Sequence, residues 1–300
     1  MITHNLMGGL GNQLFQIFTT IALAIETAQP FYFIYKETTE GITHRTTYWN
    51  SLLIKTKPYT RDTPPILHPL IKQKIEIIKE LSFNYERIVI NNYNIENNDD
   101  ITTIYLLDGY FQSYKYFENK FLQICDRTGI RTIQTELLPV FQDMTKQYET
   151  TISMHFRLGD YKLLPLCHPI IPYEYYKNSL EFIIKEENLK ESCVCVLYFC
   201  EEEDIEFVEN NYLKELMAEF PNCIFKNNAV TLGIYEDWKN LLLMSLCTHN
   251  IIANSSFSVW GAYLNKNIKK KVCYPSIWFG VDIPNDVSDI FPLDWYKIQT

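Results

Sequence analysis

Apolar positions along the chain fall into two kinds of run, and their alternation sketches the fold. Short runs bounded by Gly, Pro, Asn or Asp read as strands: ITHNL at 2–6, FYFIY at 31–35 and TTIYLLDGYF at 102–111. Longer periodic runs read as helices, first NQLFQIFTTIALAIETAQ at 12–29. Strand, glycine-rich corner, helix and strand open a doubly wound α/β domain. Pro64 and Pro65 then precede a periodic segment around Ile66 to Leu81, and NNYNIENNDD at 91–100 reads as an Asn-rich loop. Helical patterns follow at Tyr114 to Cys125 and Gln134 to Tyr148.

TTISMHFRLGDY then begins a second unit, which sets a domain boundary near 148–151. Its expected strands are Ile152 to Phe156, Val194 to Phe199, Cys223 to Phe225 and Asn250 to Ala253, with helices at about 173–187, 203–219, 234–247 and 256–265. Length agrees with this division, because 300 residues exceed the usual size of a single-core domain.

Composition narrows the class. The chain is 47% apolar and 15% aromatic, enough for real cores, yet no stretch approaches the roughly 18 to 20 apolar residues of a membrane span. Ile17 to Ile25 lacks a basic flank and a cleavage site, so it reads as a buried helix and not as a targeting segment. A net charge of -9 argues against a nucleic-acid surface, which needs clustered Lys and Arg. Any anionic ligand must therefore be met locally. The eight cysteines are irregularly spaced, and Cys193, Cys195 and Cys200 lie along a strand rather than in the C-x2-4-C turns that hold zinc. They read as buried reduced thiols, which fits a cytoplasmic setting.

In an open parallel sheet, ligands bind beyond the carboxyl ends of the strands, so chemistry is sought there. Three such places stand out. In HFRLGDY, alternation puts His155 and Arg157 on one face at a strand end, with Gly159 allowing a tight turn before Asp160. Arginine's planar fork suits phosphate oxygens, although a plain Arg–Asp pair across a turn would leave the same pattern. In FCEEED, a strand runs into Glu201, Glu202, Glu203 and Asp204, which suits either a helix N-terminus or a carboxylate that reads a base or ribose. In IIANSSFSVWGAYL, a strand stops at Asn254-Ser255-Ser256, and the helix it opens, with Ser258, could hold a phosphate on amide N–H groups and hydroxyls. Trp260 and Tyr263, three apart on that helix, read as core, and His168 in LPLCHP reads as a loop residue.

GGLGNQLFQ at 8–16, GYFQSYKYF at 109–117, HFRLGDY, FCEEE at 199–203 and IIANSSFSVWGAYL at 251–264 together resemble the ordered motif set of the α-1,2-fucosyltransferases. The resemblance covers residues 8 to about 264. It implies two Rossmann-like domains facing a cleft, the GT-B arrangement. Residues 1–149 would form the acceptor side, 150–300 the GDP-sugar-binding side, and the last ~15 residues would pack back on the first domain.

The activity so implied is inverting transfer of L-fucose from GDP-β-L-fucose to the 2-hydroxyl of a terminal galactose in an oligosaccharide or glycoconjugate. No metal and no other cofactor is implied, and the chain indeed has no Asp-x-Asp. Arg157 would then meet the β-phosphate, helped by Ser255, Ser256, Ser258 and Asn254 at the helix start. His155 would sit near the nucleotide, Glu201 or Glu202 would read guanine, and Asp160 would accept the acceptor's proton. Gly8, Gly9 and Gly11 would let main chain approach the donor, while Asn12 and Gln13 would offer amides to it. A same-fold transferase for another GDP-sugar or a non-galactose acceptor is the alternative, and divergence would then show in 36–65. A non-catalytic nucleotide- or glycan-binding module should have lost Arg157 or the Asn254 to Ser258 cap, and both are present. A dinucleotide oxidoreductase is disfavoured, because GGLGNQ lacks the G-x-G-x-x-G order. Oligomeric state leaves no mark on the sequence.

Overall fold

The computed structural model describes residues 1–39, 44–63, 72–90 and 101–300. The Asn-rich 91–100, the prolines at 64 and 65 and part of the 36–65 region therefore lie outside the described residues. Two compact units form: Met1–Ile133 with Asp286–Pro292, and Gln134–Asn285 with Leu293–Thr300.

In the first unit, β1 (Ile2–His4) leads through a glycine corner into α1 (Leu10–Glu26), followed by β2 (Phe33–Ile34), β3 (Thr60–Arg61), β4 (Lys72–Lys79), β5 (Ile101–Asp108) and α2 (Phe121–Thr128). Among the described residues, β1, β5 and β4 form a parallel sheet in that order, and β2 pairs with β3. The Ile66 to Leu81 segment thus contributes a strand, in full register with β5 from Lys72↔Ile101 to Lys79↔Asp108. α1 is buried along almost its whole length. Leu23 and Ala24 pack with Ile2, Tyr105 and Leu107 over the sheet. Phe15 and Phe18 meet Phe117. A helix hydrophobic on nearly all sides is what such two-sided burial requires. The stretch read as one helix over Tyr114 to Cys125 begins as two single 3₁₀ turns and becomes α-helical only at Phe121.

The dividing line passes inside α3 (Ile130–Thr145), just after Ile133. The second unit continues with β6 (Thr150–His155), α4 (Tyr173–Glu186), β7 (Val194–Phe199), α5 (Ile205–Val208), α6 (Lys214–Glu219), β8 (Cys223–Asn227), α7 (Asn228–Leu232), α8 (Asp237–Met244), β9 (His249–Ile251), α9 (Ser256–Leu264), β10 (Val272–Pro275) and β11 (Tyr296–Ile298). The expected helix over 203–219 is instead a composite, with a π-helical turn at Glu209–Leu213 between α5 and α6.

The parallel sheet runs β11-β10-β9-β6-β7-β8. From β6 the chain first winds outwards through β7 to β8, then returns to the other side of β6 with β9 and winds outwards again. This is the doubly wound order, and its reversal lies between β6 and β9. Both faces of the sheet are covered, which explains why VCVLYF in β7 is apolar without alternation. Val194, Val196 and Tyr198 join the core that includes Tyr175, Leu180 and Ile183 of α4. Cys195, Leu197 and Phe199 pack with Phe141 of α3 and Leu243 and Met244 of α8. β10 and β11, which the hydrophobic pattern did not signal, complete the edge.

Candidate functional site

The reversal of strand order puts the segment after β6 beside the segment after β9, two of the three places marked by sequence. Ile152, Met154 and Phe156 face the α4 core, so His155 and Arg157 turn to the other side, as alternation requires. Arg157 is largely buried. Its Nη1 donates to Glu201 Oε1 and its Nη2 to Asp160 Oδ1. Its guanidinium carbon lies 4.9 Å from the centre of the Tyr161 ring, a cation–π contact. Burial works against its charge, but Asp160 and Glu201 outweigh that penalty and raise its pKa above the ordinary value.

His155 is 7% exposed, and its ring lies 5.5 Å from that of Phe257 in the first turn of α9. Burial, and then the Arg157 charge, push its pKa down to about 3. It is therefore neutral at neutral pH. Its Nδ1 is buried without a hydrogen-bond partner, and an orphaned polar atom of this kind calls for an explanation.

At the head of α9, Ser255 is the N-cap, its hydroxyl accepting from the Phe257 amide at 3.4 Å. Asn254 and Ser258 are placed differently from Ser255. The Asn254 amide donates to the carbonyls of Pro169 (2.9 Å) and Trp278 (3.1 Å), and the buried Ser258 hydroxyl faces the carbonyls of Ala253 and Ser255. These two side chains shape the cap from within, and Ser256 opens the helix as its first residue.

The acids after β7 divide by direction. Glu201, half-exposed, turns onto Arg157, whereas Glu202 and Glu203 face solvent. Asp204, expected only as the last of four acids and given no role of its own, is 2% exposed. It accepts from the Gly159 amide at 2.8 Å and pairs with Lys162. Gly159 has φ +39°, and a Cβ there would lie 2.5 Å from a Glu201 carboxylate oxygen. Tyr161 closes the HFRLGDY motif, which gave it no separate role. Its hydroxyl donates to the Asn254 carbonyl at 3.1 Å, and its ring stacks on His168 at 4.6 Å. His168 is thus part of the site's wall, with burial as the main cause of its lowered pKa and the fields of Asp160 and Arg157 also reaching it. Cys200 adjoins the acids, but burial, then Asp204, pushes its thiol up to about 12. Among the described residues no group of three His, Cys, Asp or Glu could hold a metal ion.

In the first unit, the glycine corner is a built loop. Gly8 has φ +75°, Gly9 is the N-cap of α1, and Gly11 lies inside the first turn of the helix. Buried Gln13 donates to the carbonyls of Gly8 (3.0 Å) and Thr46 (2.9 Å). Buried Gln16 holds Met7 at both its N–H and its C=O. Asn12 accepts from Gln112 at 2.8 Å. The Gln13 amide nitrogen is thus bound to main chain on both sides of the corner, and the Asn12 oxygen is bound to Gln112. The GYFQSYKYF motif fastens the same unit: His4 Nε2 donates to the Gly109 carbonyl at 2.9 Å, the Tyr110 amide to Glu80 at 2.6 Å, and the Ser113 hydroxyl to the Asp289 carbonyl at 2.8 Å.

No helix among the described residues is long and apolar enough to cross a membrane. An α-1,2-colitosyltransferase of Escherichia coli is 26% identical over 312 aligned positions, covering 100% of this chain and 99% of that protein. An O-antigen biosynthesis glycosyltransferase, WbnK of E. coli, is 32% identical over 145 residues, 47% of this chain and 43% of that protein, so this match spans less than half of the relative. Among solved structures, an Arabidopsis thaliana FUT1 mutant in complex with GDP matches with a TM-score of 0.47 and 11% identity, over 90% of this chain and 69% of that one. The family model for glycosyl transferase family 11 matches residues 1–298, and the chain belongs to that family of glycosyltransferases.

Proposed function

We propose that this glycosyltransferase moves a 6-deoxy sugar, L-fucose, from GDP-β-L-fucose to the 2-hydroxyl of a terminal galactose with inversion, giving an α-1,2 linkage. The observation that carries the reading is the meeting, at the reversal of strand order, of the Arg157 guanidinium, neutral His155 with its orphaned Nδ1, and the N-terminus of α9. A helix N-terminus and an arginine together make a diphosphate site.

As the bond between sugar C1 and the phosphate oxygen breaks, its electron pair leaves with GDP, and negative charge grows on the β-phosphate. A guanidinium and fixed amide dipoles stabilise that charge without reorganising. Neutral His155 can add a hydrogen bond without a charge. The acceptor oxygen bonds C1 from the opposite face, and its proton passes to a carboxylate, Asp160. The reaction asks little of this base, because the phosphate is a good leaving group. No step needs a metal. Eight free thiols, most of them buried, support a reducing, cytoplasmic setting.

The full-length likeness to a colitosyltransferase favours one second reading, in which the same machinery takes a different GDP-linked deoxy sugar. Both readings are tested by GDP release from GDP-fucose and from GDP-colitose, with and without lactose or N-acetyllactosamine, followed by linkage analysis. Acceptor-dependent release from GDP-fucose with an α-1,2 product is expected. Turnover of GDP-colitose alone would move the donor assignment, and tight GDP binding without transfer to either galactoside would move the acceptor. The same assay with EDTA should run at an unchanged rate, and a loss restored only by Mg²⁺ or Mn²⁺ would overturn the metal-free mechanism.

A further inference from the structure

The groups on the Arg157 guanidinium are poor fixtures by themselves. The Glu201 and Asp160 side chains are 50% and 44% exposed, and exposed carboxylates give weak, easily exchanged ion pairs. An arriving diphosphate would compete with both. The backbone that delivers Arg157 must therefore be fixed elsewhere, because a displacement of about 1 Å in such a group can cost roughly a hundredfold in rate.

We infer that Asp204 is the positioning residue of this site, an inward-facing carboxylate that pins the Arg157 loop by its main chain; the inference rests on the function proposed above. Three observations converge. Asp204 is the one member of the acidic run that is buried, with a side chain 3% exposed. One oxygen takes the Gly159 N–H at 2.8 Å, and the other takes the Lys162 ammonium. These partners lie on either side of Asp160, so the carboxylate grips the turn at two points, two and five residues after Arg157.

The turn closes around this grip. Gly159 sits in the left-handed region, the Tyr161 amide donates to the Leu158 carbonyl at 2.8 Å, and the Lys162 ammonium lies 5.2 Å from the centre of the Phe207 ring. Asp204 itself is held by its own amide, which donates to the Glu201 carbonyl at 2.9 Å. The two useful acids after β7 thus act at different depths: Glu201 touches the guanidinium, and Asp204 sets where the guanidinium can be. A buried carboxylate that accepts from a main-chain amide and an ammonium forms charge-assisted bonds of the stronger kind.

The test compares Asp204→Ala and Asp204→Asn with the wild type by steady-state kinetics well below each variant's Tm, and by hydrogen exchange over 157–162. Asp204→Ala should lower kcat by roughly ten- to a hundredfold with a smaller change in KM for the donor, and should expose the Gly159 amide to exchange. Asp204→Asn keeps an acceptor oxygen for that amide, so it should recover part of both. A folded Asp204→Ala protein with wild-type kcat and unchanged protection of the loop would overturn the inference. So would a lowered Tm with normal kcat, because that is the mark of a merely structural residue. If the wild type turns over neither GDP-sugar, the proposed function fails, and hydrogen exchange alone still decides whether Asp204 pins the loop.

Discussion

Arg157 offers a fork, and a fork differs from a point charge. Two carboxylates engage separate nitrogens, and the Tyr161 ring lies within cation–π distance, so the shape of the guanidinium is used as well as its charge. Lysine in its place would keep the charge and lose the paired donors. Arg157→Lys should therefore lower kcat/KM by roughly a hundredfold or more, the cost of removing a preorganised donor from developing charge, with the thermal midpoint little changed. Steady-state kinetics check this, and a loss of only a few-fold would reduce Arg157 to a positive charge near the donor. At this scale the sequence was legible where spacing alone decides direction. His155 and Arg157 share a face because strands alternate, and both turned as expected. The four acids after Phe199 were illegible for the opposite reason: they enter a 3₁₀ turn at Glu202–Asp204, where successive side chains fan out. Nothing in the order Glu-Glu-Glu-Asp says that the last one points inwards.

At the scale of elements, the glycine corner and α1 were readable, but what the polar residues of that corner do was not. Gln13, expected to offer its amide to the donor, and Gln16 are both fully buried, three apart on the face of α1 that meets the loop. The helix period carries the signal, since Gln13, Gln16 and Thr20 fall on one stripe of a helix that is buried almost throughout. Gln16 satisfies both the N–H and the C=O of Met7. Gln16→Leu would keep the packing and orphan two main-chain groups. It should cost about 2 kcal/mol, seen as a lowered thermal midpoint, whereas Gln147, on the surface, should tolerate the same change. Equal effects at the two positions would mean that loop carbonyl and amide find other partners. β4 shows the limit of periodicity: KQKIEIIK is amphipathic enough to fit more than one element, and only its register with β5 settles it as a strand. The π turn inside the 203–219 helix is likewise invisible to a pattern, because a single wide turn shifts the phase without altering the composition.

For the whole molecule, alternation of strand and helix was enough to give parallel α/β units, while β10 and β11 escaped because they are four and three residues long and are fixed by partners distant in sequence. The same long-range closure buries histidines at a strand end in each unit, with consequences for stability. In the first unit, burial pushes His4 down to about 4 against the pull of its backbone hydrogen bonds; in the second, burial and then Arg157 push His155 down to about 3. Both values lie below the ordinary 6.5, so between that pH and the folded-state values the unfolded chain binds protons that the folded chain does not. The stability these neutral imidazoles support is complete above about pH 6.5 and is lost as pH falls towards 4 and 3. Each histidine contributes a slope of up to about 1.4 kcal/mol per pH unit within its window. The thermal midpoint should thus be flat from pH 7 to 8 and fall steadily from pH 6 to 4.5. His4→Gln, whose amide can still donate to the Gly109 carbonyl, should flatten part of that fall while changing the midpoint little at pH 7.5. A fall as steep in the variant as in the wild type would shift the cause of acid instability from this histidine to the carboxylates.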